Sequence, residues 1–481
     1  MCLGGLVLAQ SSTTLPTVHV IAPKPAKGES AAARRLAAKA QAFDAARSKL
    51  YTTVGTTSYK ISHETIRALP QGANQPVEKV LLQAPGVSQD SAASGLLHVR
   101  NDHANVQFRI NGVMLPDGVT GFGSIFDTSL IGGMSLVRGA LPAEFGLRTV
   151  ALVDIATRTD VFNNSGSITA YGGSFGTLEP SFEYGGTFGG NCGSAAPGPS
   201  SLTTNCFPGV QYYFTGRYLQ TTVGIENPTP AYDAIHNFSQ QEKGFAYMSA
   251  LIDPTTRLSM IAGTATNAFQ IPNVPGQPVG QMGNPPVTNA FGITNFNSAL
   301  LNETQTEDTQ FGVLALQKSV YGFDGQLSYF TRYNFLHFVP DPVGDLLLNG
   351  IASNISRESY ANGIQGDTSY VINPANALRV GFTVSGEQSN VDNSSLAEPC
   401  TICDGTDNGA PETMADNVSK LGWLAGIYAQ DEWKITNELT INGGLRFDQM
   451  WQYVDDNQLS PRFASAAVRS PQSQELSWSL R

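Results

Sequence analysis

The chain has 481 residues, with 28 Lys and Arg against 39 Asp and Glu, which gives a formal net charge of −11. This acidic balance argues against a nucleic-acid partner, because phosphate recognition needs clustered Lys and Arg. No run of about 18 apolar residues is present, so the sequence encodes no transmembrane helix. The chain has 41% apolar and 14% charged residues, and the classes that remain possible are a soluble β-rich protein and a β-barrel. A barrel remains possible because its strands alternate apolar and polar residues, which hides the membrane-facing positions from averaged hydropathy.

The first 50 residues read as an export signal followed by an extended segment and a linker. Residues 1–10 have the pattern of the end of a signal peptide, with Val7, Leu8 and Ala9 at a cleavage position. Within residues 11–50, a short β-branched run at 17–22 lies between prolines, which predicts an extended peptide. Residues 29–50 are Ala-rich and basic, which favours a helix, and we interpret this linker as a solvated spacer.

Compact α/β elements are predicted from residue 51 to residue 160. Ser62 is expected to cap a helical turn, and residues 77–83 have the spacing of a short amphipathic helix. Short strands are predicted at 97–100, 106–110, 134–137 and 150–157. The pair Asn111 and Gly112 is a strong tight-turn signal.

From residue 161 to residue 481 the pattern changes to long segments in which apolar and polar residues alternate, as at Leu378 and Arg379. Period-two alternation places the two sets on opposite faces of a sheet. Tight turns at 253–256, 373–376 and 435–438 contrast with long polar loops at 273–307 and 389–419. Short turns at one end and long loops at the other are typical of outer-membrane barrels, and a secreted β-sandwich is the alternative.

Three phrases in residues 51–160 point to a family. They are Pro85-Gly86-Val87 after the helix, the hairpin phrase from Arg109 to Gly112, and Val137-Arg138-Gly139 followed by Phe145-Gly146. In this order they resemble the plug domain of TonB-dependent outer-membrane receptors, and residues 428–435, 445–447 and 459–463 are similar to barrel strands of that family. The predicted fold class is therefore mixed: a small α/β plug domain followed by an antiparallel transmembrane β-barrel.

The resemblance implies roles for two sets of residues. The extended run would be a TonB box, which can bind its partner by adding a strand to a sheet edge; its residues are Thr17, Val18, His19, Val20, Ile21 and Ala22. Arginines of the plug would meet carboxylates of the barrel wall, because a charge inside a lumen needs a partner. The plug arginines are Arg100, Arg109 and Arg138, and the candidate wall carboxylates are Glu387 and Glu432.

The sequence contains no catalytic motif, so we expect a protein that is not an enzyme and needs no cofactor. His98 and His103 lack a third ligand at suitable spacing, so no metal site is predicted. Asp431 and Glu432 are adjacent on a strand and point to opposite faces, which rules out an acid–base pair. The cysteines suggest two local disulfides of an oxidising compartment, with ligand contact as the alternative for the second pair. These candidates are Cys192, Cys206, Cys400 and Cys403.

The resemblance implies active uptake of a scarce ligand across the outer membrane. A ferric siderophore is the first candidate, and cobalamin, saccharides and other metal chelates are alternatives. The implied partners are TonB with its inner-membrane energising complex, the small-molecule ligand and outer-membrane lipid. A secreted or surface-exposed binding or adhesion protein is the hypothesis from another class.

The number of strands bears on this function. About eleven alternating segments are counted between residues 165 and 454, whereas plugged outer-membrane transporters close at 22 strands. We therefore expect about half of a barrel and a truncated copy of the receptor, because unpaired edges are not tolerated in lipid.

Overall fold

The computed structural model of the chain describes residues 31–89, 91, 97–103, 105–118, 121–189, 209–226, 235–281, 286–398 and 411–467. They form a small α/β unit, called the plug below, and one large antiparallel sheet, called the wall. No helix in these ranges is long and apolar enough to span a membrane.

The plug is built on two small sheets and two short helices. Its larger sheet has the strand order β1-β7-β8-β5-β6, in which β5 and β8 run parallel, and its smaller sheet has the order β2-β3-β4. The strands are β1 Thr56–Ser62, β2 Val87–Gln89, β3 Leu97–Val99, β4 Asp102–His103, β5 Val106–Ile110, β6 Val113–Met114, β7 Ile131–Gly139 and β8 Ala151–Thr157. The helices are α2 His63–Arg67 and α3 Val77–Leu81, with 3-10 turns at Gly72–Asn74 and Thr128–Leu130.

The short-range predictions for the plug are confirmed. The Ser62 side chain accepts a hydrogen bond from Thr65 N and caps α2, and the predicted amphipathic helix is α3. Asn111 and Gly112 both have positive φ (50° and 78°), the conformation that a tight hairpin turn between β5 and β6 requires. Strand β1 was not predicted, because its sequence TTSYKIS buries only Ile61 and carries little apolar alternation.

The linker forms a helix, α1 Ala31–Ser48, as predicted, but it is not a solvated spacer. Its side chains Leu36, Ala40, Phe43 and Ala46 are buried, and Leu36 and Phe43 pack against Leu251 of the wall. Positions spaced by three and four residues lie on one helical face, so this face docks the helix onto the wall. The prediction failed because the basic residues on the other faces dominate the composition.

The wall is a meander of twelve antiparallel strands in which each strand pairs with the next along the chain. The strands are β9 Ser165–Gly172, β10 Leu178–Phe188, β11 Gly209–Thr221, β12 Ser239–Asp253, β13 Thr256–Gln270, β14 Thr304–Val320, β15 Phe323–Val339, β16 Ile351–Asn373, β17 Asn376–Ala397, β18 Glu412–Lys434, β19 Leu439–Trp451 and β20 Asp455–Ala467. Among the described residues the sheet is not closed, and β9 and β20 are its edges.

The two faces of the wall are inverted relative to a soluble sheet. Apolar side chains such as Ile168, Leu327 and Ile427 are exposed on the outer face. Polar side chains on the plug side are buried, including Gln430 and Arg446. This arrangement matches an apolar surface for lipid and a polar lumen, as predicted from the alternation.

The ends of the wall differ, as predicted. One end carries the tight turns between β12 and β13, β16 and β17, and β18 and β19, and we call it the short-turn end. The short connection between β19 and β20 lies at the opposite end. The other is the long-loop end. There, Val287 and Ala290 form a small apolar cluster with Leu346 and Leu347 of the helix α4 Pro342–Asn349.

The predicted loop at 389–419 is too long. Strand β17 continues to Ala397 and β18 begins at Glu412, with paired backbones from Ser389 to Ala397. The polar composition of this stretch suggested a loop, but the end of β17 is partly buried or exposed and residues 412–421 of β18 are exposed, so polar residues fit both strand ends.

Candidate functional site at the plug–wall contact

Six arginines of the wall donate hydrogen bonds toward the plug and α1. Each has a carboxylate or a main-chain carbonyl oxygen as acceptor, and in addition Arg217 donates to Asn74 Oδ1 and Arg257 to Ala40 O. The pairs are Arg217 Nε to Asp127 Oδ2 (2.9 Å), Arg257 Nη2 to Asp44 Oδ1 (2.7 Å), Arg332 Nη1 to Pro116 O (2.6 Å), Arg379 Nε to Lys49 O (3.1 Å), Arg446 Nη1 to Ala143 O (3.4 Å) and Arg462 Nη1 to Leu141 O (3.3 Å). The positively charged donors of this contact thus lie on the wall, and their acceptors lie on the plug and α1.

The plug arginines are placed differently from the prediction. Arg109 is buried within the plug, where it donates to Gln107 Oε1 at 3.2 Å and lies over the Phe145 ring at 4.8 Å. Arg138 donates to Pro85 O, and Arg100 is exposed at a turn with φ 55°. In the described ranges none of the three forms an ion pair with Glu387 or Glu432, because Arg109 and Arg138 find acceptors within the plug.

The two wall carboxylates also differ from each other. Glu432 accepts from Thr52 Oγ1 of the plug at 2.6 Å and from Arg379 Nη1 at 3.0 Å, so it does touch the plug, through a hydroxyl group. Glu387 accepts from Ser359 Oγ of the neighbouring strand at 2.8 Å. The structure therefore brings only Glu432 of the predicted set to the plug–wall contact.

The contact near the short-turn end, called the base contact, centres on Glu144. One carboxylate oxygen of Glu144 accepts from Thr52 N at 2.8 Å and the other from Gln430 Nε2 of the wall at 2.7 Å. Burial raises the pKa of Glu144 to about 8, although Arg379, the Thr52 N–H group and Arg109 oppose this rise. Residues Leu141 to Gly146, the final phrase of the plug pattern, thus carry much of the base contact.

A second part of the base contact joins Tyr51 to β16 and β18. The Tyr51 hydroxyl donates to Gly112 O at 2.7 Å and lies 3.3 Å from Asp367 Oδ2. The Tyr428 hydroxyl donates to Asp367 Oδ1 at 2.8 Å, and Gln365 Nε2 donates to Asp367 Oδ2 at 2.6 Å. Burial and the Asp367 charge raise the pKa of Tyr51 well above its ordinary value, so its hydroxyl stays a donor.

The contact near the long-loop end, called the apex contact, uses plug residues 116–118 and 121–126. A Cβ atom added to Gly118, Gly121 or Gly123 would lie 2.2–2.4 Å from a wall side chain. The facing wall residues are Asn334 on β15 for Gly118, Glu307 on β14 for Gly121 and Asn267 on β13 for Gly123. Glycine therefore allows the plug backbone to approach these strands closely, and an added Cβ would displace the facing side chain.

Glu307 fixes the apex contact. Its carboxylate accepts from Phe122 N at 2.7 Å and from Gly123 N at 2.9 Å. Beside it, a cavity of about 360 Å³ opens between the plug and strands β13 to β15. Aromatic residues Phe108, Phe126 and Phe335 line the cavity together with polar wall residues.

Several predicted residues lie outside the described ranges. They are the run Thr17, Val18, His19, Val20, Ile21 and Ala22 and the cysteines Cys192, Cys206, Cys400 and Cys403. Within the described part of the chain, no group of three or more His, Cys, Asp and Glu side chains is arranged to hold a metal ion.

Two features of the site were missed from the sequence. The lumen-facing arginines recur at alternating positions of strands, as at Arg379 and Arg446, and this recurrence was a usable signal. The three apex glycines at 118, 121 and 123 lie in a stretch without periodicity, so their spacing alone could not indicate contact with a wall.

A family model described as an outer membrane beta barrel domain matches residues 382–476. No curated protein sequence matches the chain significantly. Among solved structures, similar folds include the ferric yersiniabactin uptake receptor FyuA from Yersinia pestis, with 11% identity and a TM-score of 0.59 over 85% of this chain and 61% of that chain.

Two further receptors have similar folds. The pyoverdine outer membrane receptor FpvA from Pseudomonas aeruginosa shares 13% identity with a TM-score of 0.59 over 86% of this chain and 60% of that chain. The siderophore receptor PirA from Acinetobacter baumannii shares 14% identity with a TM-score of 0.58 over 86% of this chain and 59% of that chain. The chain spans about 60% of the length of these receptors.

These matches agree with the geometry described above. A plug-like α/β unit lies against a meander of antiparallel strands, as the similarity in fold to these receptors implies. The barrel-domain match indicates the outer membrane as the location. The resemblance noted in the sequence is thereby confirmed at the level of fold: the chain has the plug-and-barrel fold of TonB-dependent outer-membrane receptors.

Proposed function

We propose that this protein acts in TonB-dependent uptake of a scarce small molecule across the outer membrane. The observation that carries the proposal is the position of the cavity, between plug and wall near the long-loop end. Because long loops face outward in outer-membrane barrels, a ligand from outside would reach the plug apex first.

The opposite end of the molecule suits coupling to an energy source. Helix α1 docks near the short-turn end, where the fully buried Arg257 of β13 donates to Ala40 O and Asp44 Oδ1. Residues 17–22 precede this helix in the chain. An extended β-branched segment in the periplasm could add a strand to TonB, with main-chain hydrogen bonds giving affinity.

A ferric siderophore is the ligand class that we favour. The receptors FyuA, FpvA and PirA, with which the chain shares its fold, are described as receptors for yersiniabactin, pyoverdine and siderophores. The apex cavity combines aromatic and polar side chains, which suits a ligand with an apolar body and oxygen atoms.

Uptake of iron-55 chelates by whole cells tests the proposal. Cells that express the protein should accumulate labelled iron only when TonB is present. The substitution Val20→Pro removes a backbone donor and should abolish uptake by blocking strand addition, whereas the matched control Val20→Ile should retain it. Equal uptake with and without TonB would contradict the proposal, as would full uptake by Val20→Pro.

A further inference from the structure

The half of β18 nearer the long-loop end has a free edge. Strand β18 begins at Glu412 and pairs with β17 from that residue onwards, whereas β19 pairs with it only from Trp423 onwards. In the described ranges no strand pairs with residues 412–422 on the side away from β17. Strand β19 ends at Trp451, opposite Trp423, so the free edge exists because the neighbouring strand is shorter.

The free edge lies outside the lipid-facing part of the wall. Trp423 and Trp451 form a cross-strand pair and are each about half exposed, and Trp433 is half exposed nearer the short-turn end. Aromatic residues at two levels of a barrel mark the two interfaces of the bilayer. Residues 412–421 are exposed and continue beyond the Trp423 level. They therefore project from the outer surface by up to about 33 Å, since a strand rises roughly 3.3 Å per residue.

The backbone groups of the free edge follow from the hydrogen bonds at the other end of the strand. Lys434 N donates to Ala375 O at 2.7 Å, on the β17 side, and Ile435 N donates to Leu439 O on the β19 side. Successive residues of a strand direct their N–H and C=O groups alternately to the two sides, and the β17–β18 register is unbroken. The odd-numbered residues therefore direct these groups to the free edge, and they are Thr413, Ala415, Asn417, Ser419 and Leu421.

This edge lacks the features that usually protect a strand edge from pairing. Residues 412–422 contain no proline, and in this fully described stretch the register with β17 shows no bulge. Long edges without such features are templates for pairing with another chain. An extended segment can add to them through main-chain hydrogen bonds, while side chains at alternate positions decide which segment fits.

The side chains of the free edge define the chemistry of a fitting strand. Even-numbered residues of β18 share the face that carries the buried Tyr428 and Gln430. Lys420 lies on this face, over the Tyr453 ring at 5.2 Å, so it is already in contact within the chain. Beyond Lys420, apolar side chains and carboxylates alternate on this face, in the order Val418, Asp416, Met414 and Glu412.

This pattern selects a basic strand. In a pair of strands, opposite charges on directly facing residues are stabilising and like charges are destabilising. Basic side chains opposite Asp416 and Glu412 would form cross-strand ion pairs, and apolar side chains opposite Val418 and Met414 would cover them. A second copy of the chain fits less well, because its own edge carries the same carboxylates.

We propose that residues 412–422 of β18 form an outward-facing docking edge for an extended basic segment of a partner protein. The segment adds to β18 as an antiparallel strand above the level of the bilayer. The docking edge lies on β18, whereas the cavity lies between the plug and strands β13 to β15. The inference therefore requires the outer-membrane location and is independent of the uptake function.

The test measures binding of a designed strand to outer membranes that contain the full chain. The probe is the fluorescein-labelled peptide Thr-Thr-Val-Thr-Lys-Thr-Val-Thr-Lys, in which antiparallel pairing sets the lysines opposite Asp416 and Glu412. A comparison peptide has glutamate in place of both lysines. The variant Asn417→Pro removes an N–H donor of the free edge and no bond to β17, and the matched control Asn417→Val keeps the donor.

We expect saturable binding of the lysine peptide to the wild type and to Asn417→Val, and at least tenfold weaker binding to Asn417→Pro. The glutamate peptide should bind the wild type about tenfold more weakly than the lysine peptide does. In Asp416→Lys this preference should shrink or reverse, because one facing charge has changed sign. Resistance of the wall to trypsin should be the same in both Asn417 variants, which separates docking from a merely structural role.

Four outcomes would overturn the inference. They are no binding of either peptide to the wild type, equal binding of the two peptides, equal binding of the lysine peptide to both Asn417 variants, and dimerisation of the purified wild type that Asn417→Pro abolishes. The last outcome would assign the edge to a second copy. If Asn417→Pro fails to assemble in the membrane, the peptide preference of Asp416→Lys decides, and an unchanged preference refutes the proposal.

Discussion

The plug meets the wall in two places that differ in how fully their polar groups are satisfied. At the base contact both oxygens of Glu144 and both oxygens of Asp367 accept hydrogen bonds, the latter from Tyr428 and Gln365. At the apex contact the amides of Asn267 and Asn334 are buried with orphan atoms, and a cavity lies beside them. The difference indicates that the base holds the plug in place and that the apex is the side where bonds can be exchanged.

The largest expected effect comes from pH at the base. The pKa of Glu144 rises from 4.5 to about 8, so the folded plug binds a proton more tightly than the unfolded chain does. The resulting stability is fully present below pH 4.5 and is lost as the pH rises through 8. At about 1.4 kcal/mol for each tenfold change, the loss amounts to about 5 kcal/mol.

Urea unfolding of the plug, followed by proteolysis at several pH values, measures this dependence. The variant Glu144→Gln cannot ionise and should show a much flatter profile over the same window. A wild-type profile that is already flat between pH 4.5 and pH 8 would refute the prediction.

The second prediction removes Asp367, the acceptor shared by Tyr428 and Gln365. Asp367→Ala leaves the Tyr428 hydroxyl and the Gln365 amide without their buried partner. We expect the free energy of plug unfolding to fall by about 4 kcal/mol, since each orphaned buried group costs about 1–3 kcal/mol. The control is Asp392→Ala. Because Asp392 is exposed at the far end of β17, the free energy of plug unfolding should change by no more than about 0.5 kcal/mol. Similar losses of stability in Asp367→Ala and Asp392→Ala would show that the Asp367 hydrogen bonds do not hold the plug.

The third prediction concerns the helix at the short-turn end. Asp44→Ala leaves the fully buried Arg257 guanidinium without a carboxylate, which should weaken the docking of α1 by about 3 kcal/mol. Hydrogen exchange of the α1 amides should then accelerate, while exchange in the plug sheet stays slow. Asp44→Asn keeps an acceptor and should have a smaller effect. Unchanged exchange in Asp44→Ala would show that the apolar face alone holds the helix.

The smallest effects come from adding a methyl group at each contact. In Gly146→Ala the new Cβ meets the Arg446 guanidinium, which Asp448 holds in place, so we expect a loss of about 2 kcal/mol. In Gly121→Ala the Cβ meets the Glu307 carboxylate, the far end of a flexible side chain that lines the cavity, and the loss should stay below about 1 kcal/mol. Thermal unfolding of the two variants compares the contacts directly. A larger loss of stability in Gly121→Ala than in Gly146→Ala would show that the apex contact, not the base contact, holds the plug in place.

The sequence predicted what depends on local pattern. Alternation at Leu378 and Arg379 indicated the correct face of β17, and the Asn111-Gly112 pair indicated the hairpin turn. The partners across the plug–wall contact could not be predicted, because residues such as Glu144 and Gln430 lie 286 positions apart in the chain. The docking of α1 was missed for the same reason, since its buried face has meaning only against Leu251 of the wall.

The acceptors of the wall arginines have a further consequence for how the receptor can be re-engineered. Arg332, Arg379, Arg446 and Arg462 bind main-chain oxygens, which every amino acid provides. Side chains at these plug positions can therefore be exchanged without removing the bonds, provided that the backbone keeps its path. A plug from another receptor with the same backbone path would keep these four bonds, so a chimaeric transporter would need to rebuild only the contacts made by side chains, such as that of Glu144 with Gln430.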